Sequence, residues 1–186
     1  MPEWPARPRP TPEAALRDLE SSSTEARIAA VEALANSPEE LAERARAALG
    51  EVLSDAAARV RAAAALALAE IGPEELVERL EGLLSDEDGR VRQAAVIALG
   101  ESGDERVLPA LLRTLQSKDA DVRFQAVIAV ARVAPKKALE HVGPFASDED
   151  PEVRANVAAA LADVGGEAAL PALEELLGDE DFAVRF

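Results

Sequence analysis

The chain has 186 residues, 48% hydrophobic and 30% charged, with a formal charge of −16 and no cysteine. Its 36 acids against 20 bases argue against nucleic acid or an anionic membrane as partner, since both are held by cationic side chains; the charge favours a neutral to basic protein or peptide. General disorder is excluded by the apolar share, and thiol catalysis and Cys-based zinc sites by the missing cysteine.

Residues 1–10, MPEWPARPRP, lack the apolar core of a signal peptide. Their prolines at 2, 5, 8 and 10 predict a flexible, extended leader. Pro5-Ala6-Arg7-Pro8 formally matches a PxxP ligand, and Trp4 is either folded onto the first helices or an exposed anchor. Thr11 followed by Pro12 predicts an N-cap and first turn, hence a capping helix. The longest apolar run, residues 62–69, is too short to span a bilayer, so the expected location is cytoplasmic.

From here the chain repeats. Val-Arg occurs at Val60-Arg61, Val91-Arg92, Val122-Arg123, Val153-Arg154 and Val184-Arg185, each 31 residues after the last, with a weaker copy at Ala26-Arg27. Asp88, Asp119, Asp150 and Asp181 stand three residues before the last four valines, placed to cap a helix. Each unit divides into two helices. The first, as in DERVLPALLRTL, carries a helical apolar stripe with Pro109 or Pro171 near its start. The second begins at the Asp. Two short helices in about 31 residues cannot fold alone, so the units must stack into an α-solenoid with one continuous Ala/Leu/Val core. The expected division is a single domain over 11–186, with units at about 21–53, 54–84, 85–116, 117–146 and 147–177 and a partial one at 178–186.

The segments LPALLRTLQSKDADVRFQAVIAVARV and LPALEELLGDEDFAVR resemble HEAT repeats of the short type found in phycobilisome lyases and bacterial scaffold proteins. That resemblance covers about residues 21 to 186. It implies an all-α, right-handed α-solenoid, an ARM/HEAT-like superhelix of about five two-helix repeats plus the capping helix. It further implies that the Asp and Arg residues (Asp88, Arg92, Asp119, Arg123, Asp150, Arg154) form a structural ladder linking adjacent units, and that the Val-Arg helices line the concave face. Two departures are visible. Gly143-Pro144 should break the first helix of its unit. DFAVRF is too short to hold a helix unaided, so it is either cut from a longer protein or Phe182, Val184 and Phe186 form an improvised cap or end-to-end contact.

Catalytic readings find little support. The acidic clusters SDED and GDED lack the alternating oxygen ligands and closing Glu of a calcium loop, and N-capping accounts for them. Asp88 and Arg92 lie one helical turn apart, as if paired for acid/base work, but recurrence unit after unit marks scaffold. His141 is the only histidine and has no nucleophile arrangement beside it. No cofactor, metal or catalytic residue is therefore expected.

The pattern points instead to a surface. Counting from each Val as zero, offsets 0, +3, +4, +7 and +8 make the buried stripe, leaving +2, +5, +6 and +9 to face outward or into the groove. Offset +5 holds Val31, Ala65, Val96, Val127 and Ala158; offset +6 holds Glu32, Leu66, Ile97, Ile128 and Ala159. Leu66, Ile97 and Ile128 with Phe124 and Gln93 are expected to line a concave apolar stripe, rimmed by Glu32, Glu70, Glu101 and Asp163. Such a stripe suits an amphipathic or extended peptide with apolar anchors and basic flanks; self-burial or a homodimer that covers it is the competing arrangement. The expected function is a non-catalytic protein–protein interaction or scaffold module. The alternative, from the enzyme branch of the resembled family, is a bilin lyase or lyase subunit, and the absence of Cys and Tyr with a single His weighs against it.

Overall fold

The computed structural model describes residues 11–72, 77–164 and 166–185. The leader, with Trp4 and the PxxP segment, lies outside the described residues, as does Phe186. What is described is all-helical, with the elements alternating between two layers. The Val-Arg segments form α2 (Thr24–Ala35), α4 (Ala58–Ile71), α6 (Gly89–Glu101), α8 (Ala120–Val133), α10 (Pro151–Val164) and the short α12 (Phe182–Arg185). Between them run α1 (Pro12–Asp18), α3 (Ala42–Val52), α5 (Val77–Leu83), α7 (Leu108–Thr114), α9 (Ala138–Val142) and α11 (Leu170–Leu177).

Local chemistry sets the boundaries. Thr11 Oγ1 accepts the Ala14 N–H and Pro12 opens α1. Asp88, Asp119 and Asp150 accept N–H groups in the first turns of α6, α8 and α10. Each satisfies a donor that the helix itself leaves without a partner. Pro109 and Pro171 sit in the first turns of α7 and α11, where a missing N–H costs nothing. At Gly143-Pro144 the α-helix stops: α9 ends at Val142 and residues 143–147 continue as a 3₁₀ turn.

Along the Val-Arg helices Val60, Val91, Val122 and Val153 are buried at offset zero, and Leu34, Leu68, Leu99, Val130 and Leu161 at +8. Each such side chain contributes about 1.5–3 kcal/mol when removed from water, and the burial runs unbroken from α1 to α12. One expectation is corrected. Four of the five residues at offset +5 do not face the groove: Val31, Ala65, Val96 and Val127 are fully buried, and Ala158 is half-buried. Each inner helix is flanked by a neighbour on both sides, so its apolar surface extends beyond the single stripe that a surface helix would bury.

Successive Val-Arg helices pack directly on one another, α2 on α4, α4 on α6, α6 on α8 and α8 on α10. Among the described residues, successive helices of the other layer make no comparable contact. A stack spaced more tightly in one layer curves towards it, and the Val-Arg layer is therefore the concave one. Small residues allow that spacing. A Cβ built on Gly100 of α6 would lie 2.8 Å from the Ala129 Cβ of α8.

Candidate functional site: a concave groove on an arginine ladder

The repeat arginines from Arg27 to Arg154 each reach forward into the next unit. Arg27 grips Asp55, Arg61 grips Asp86, Arg123 grips Asp148 and Arg154 grips Asp179, each through Nε and an Nη, with N···O distances of 2.7–2.9 Å. The remaining Nη donates to carbonyls of the arginine's own loop, as Arg61 does to Asp55 and Arg154 to Asp148. The gripped carboxylate also accepts the N–H two residues on, for example Asp86 from Asp88. One Asp thus braces its own turn and ties it to the preceding unit.

This corrects the ladder expected from the sequence. Asp88 and Asp150 cap helices and are not the ladder carboxylates; those lie two residues earlier, at Asp86 and Asp148. Asp88 pairs with Arg90, and Arg92 does not meet it but reaches Asp119. Asp119 alone serves as both cap and ladder residue, because Ser117 stands where the other units carry Asp. The four regular pairs are mostly buried; Arg123 and Asp148 are deepest, with side chains 8% and 7% exposed. Hydrogen bonding from Arg61 holds the Asp86 carboxyl below the usual range, and Arg154 holds Asp179 at about 2. These groups are charged, saturated and structural.

On the concave face the groove residues fall into two hollows. Ile28, Leu66, Gln93 and Ile97 line one of about 380 Å³ between α4 and α6. Ile128 lines a second, of about 450 Å³, between the C-terminal halves of α8 and α10. Leu66 is 41% exposed, whereas Ile97 and Ile128 are half-buried. Phe124 is half-buried against the core.

The rim is mixed rather than acidic throughout. Glu70, Glu101 and Asp163 are exposed near the C-terminal ends of α4, α6 and α10, and Glu101 is paired with Arg132. At the other edge Arg59 and Arg90 line the first hollow, held by Glu25 and Asp88. Both stand one residue before the Val, an offset the sequence reading did not count. The C-terminal half has Asp121 and Glu152 at that offset. Asn156, in the wall of the second hollow, was missed because a single polar residue in an Ala-rich helix gives no periodic signal. Among the described residues no group of three or more His, Asp or Glu side chains converges on a metal-ligating cluster, and no helix is long and apolar enough to cross a membrane. His141 sits half-buried at the end of α9.

A curved two-layer stack of helical pairs, tied from unit to unit by buried arginine–aspartate grips, defines an α-solenoid. The sequence matches HEAT repeats over residues 12–80, 46–130 and 111–186, and the chain belongs to the HEAT-repeat family. No curated protein matches it in sequence. Among solved structures it is similar to the complex of CpcE and CpcF of phycocyanin lyase from Nostoc sp. PCC7120, with a TM-score of 0.76, 24% identity, and coverage of 100% of this chain and 77% of that one. The E. coli protein YibA gives a TM-score of 0.71 at 19% identity, over 91% and 65% of the two chains. A designed armadillo repeat protein in complex with peptide (KR)4 gives 0.64 at 23% identity, over 94% of both.

Proposed function

We propose that this chain is a non-catalytic interaction module that binds a polypeptide along its concave face. The observation that carries the reading is the pair of apolar hollows around Leu66, Ile97 and Ile128, set on the layer towards which the solenoid curves. Contiguous apolar surface bordered by charge is the ordinary signature of a protein-binding face. The designed armadillo protein, of similar architecture, is seen with a bound peptide, and the net charge of −16 favours a neutral to basic ligand. Ladder residues and caps are saturated by one another, so they offer no idle acid, base or nucleophile.

The test is selection from a random peptide library followed by affinity measurement on the folded Ile97→Glu/Ile128→Glu protein. Binding should fall at least tenfold; undiminished binding would reject the groove. Sedimentation at several concentrations tells whether self-association covers the face instead. Likeness to the phycocyanin lyase subunits keeps one second reading in view, a lyase-subunit role. A bilin-transfer assay with an acceptor phycobiliprotein decides it, and the proposal expects no transfer.

A further inference from the structure

The hollow between α8 and α10 differs from its neighbour in having one acid, Asp163, in its wall. Asp163 lies in the last turn of α10, where the partial negative charge of the helix end disfavours a carboxylate. The corresponding residue of α8, Arg132, suits its helix end and is engaged by Glu101. Among the described residues no cation pairs with Asp163. Nearby, Asn156 Nδ2 donates to the Glu152 carbonyl at 2.8 Å, which leaves its Oδ1 as an acceptor. Ile128, Ala131, Ala159 and Val164 make the wall aliphatic, and Arg132, its charge met by Glu101, lines the same hollow.

An acid placed against its helix dipole, a free amide oxygen and an aliphatic wall together match one kind of side chain: a long apolar stem ending in a cation. We infer that this hollow is a subsite for a lysine or arginine side chain of the bound polypeptide, its methylenes on Ile128 and Ala159 and its head on Asp163 and Asn156 Oδ1. The inference rests on the concave face being the binding face.

The probe is fluorescently labelled (Lys-Arg)4, titrated at physiological ionic strength so that diffuse attraction to the acidic chain is screened. Asp163→Asn should weaken binding about fivefold, while Glu43→Gln, which removes the same charge from exposed α3, should change it less than twofold. Equal effects of the two substitutions, or no binding by the unsubstituted protein, would overturn the subsite. Leu66→Glu, measured with a library-selected peptide, separates the two ideas. If Asp163→Asn is silent and Leu66→Glu abolishes that binding, the groove stands without the subsite; if both are silent, both fall.

Discussion

Asp119 Oδ2 lies 3.1 Å from an Nη of Arg92, and it reaches there across a residue with no side chain. A Cβ on Gly89 would fall 2.7 Å from that same oxygen. Three departures from the repeat therefore form one adaptation. Ser117 replaces the ladder Asp, Asp119 takes over the grip from its capping position, and Gly89 clears the path. The pair is also more exposed than the others, at 26% and 31%.

Gly89→Ala reports on this directly. At an unhindered first-turn position the change would be neutral or stabilising; here it should cost about 1 kcal/mol through the clash with Asp119. Adding Ser117→Asp restores the regular carboxylate and should recover most of the loss. Denaturant unfolding of the two single variants and the double variant checks it, and a stabilised Gly89→Ala protein would contradict it.

Asp148 and Asp150, two residues apart, should respond very differently. Asp148→Ala strands the buried Arg123 guanidinium and should cost about 3 kcal/mol. Asp150→Ala removes an N-cap and should cost about 1 kcal/mol. Urea midpoints measure both, and the reverse order would return the ladder to the capping residues.

Gly100→Ala should destabilise by about 1–3 kcal/mol, since the added methyl meets Ala129 and overpacks α6 against α8. Ala35, Ala69 and Ala131 occupy the same offset in other units, so the constraint is local to this interface. Thermal unfolding of the variant reads it, and an unchanged melting temperature would show that the helices can spread.

Acid should loosen the ladder. Asp86 and Asp179 have folded pKa values below their unfolded ones, the latter at about 2, through the arginines that grip them. A lowered carboxylate pKa stabilises the fold above the unfolded value near 4 and loses that contribution as pH falls towards the folded one. Helicity followed by circular dichroism should therefore decline between about pH 4 and pH 2, with little change between pH 5 and pH 8. A midpoint above pH 5 would point to other groups.

The fold was legible because its determinants recur. A 31-residue spacing, an Asp three residues before four of the five Val-Arg valines, and Pro109 and Pro171 near first-helix starts need no tertiary information. The ladder was half legible: the arginines were identified, but both Asp86 and Asp88 precede Val91. Only the distance to the preceding unit's Arg61 separates cap from grip. Offset +5 misled because a helical wheel assumes one buried face, and inner solenoid helices have neighbours on two sides. Ile97 and Ile128 align in sequence, yet they open into different hollows, a distinction that depends on how neighbouring helices part.

The most direct test of the binding face is methyl NMR of the labelled protein titrated with a library-selected peptide. The account predicts saturable shifts at Leu66, Ile97 and Ile128, with Leu177 on the opposite layer unmoved. Shifts at Leu177 with those three methyls silent would contradict it.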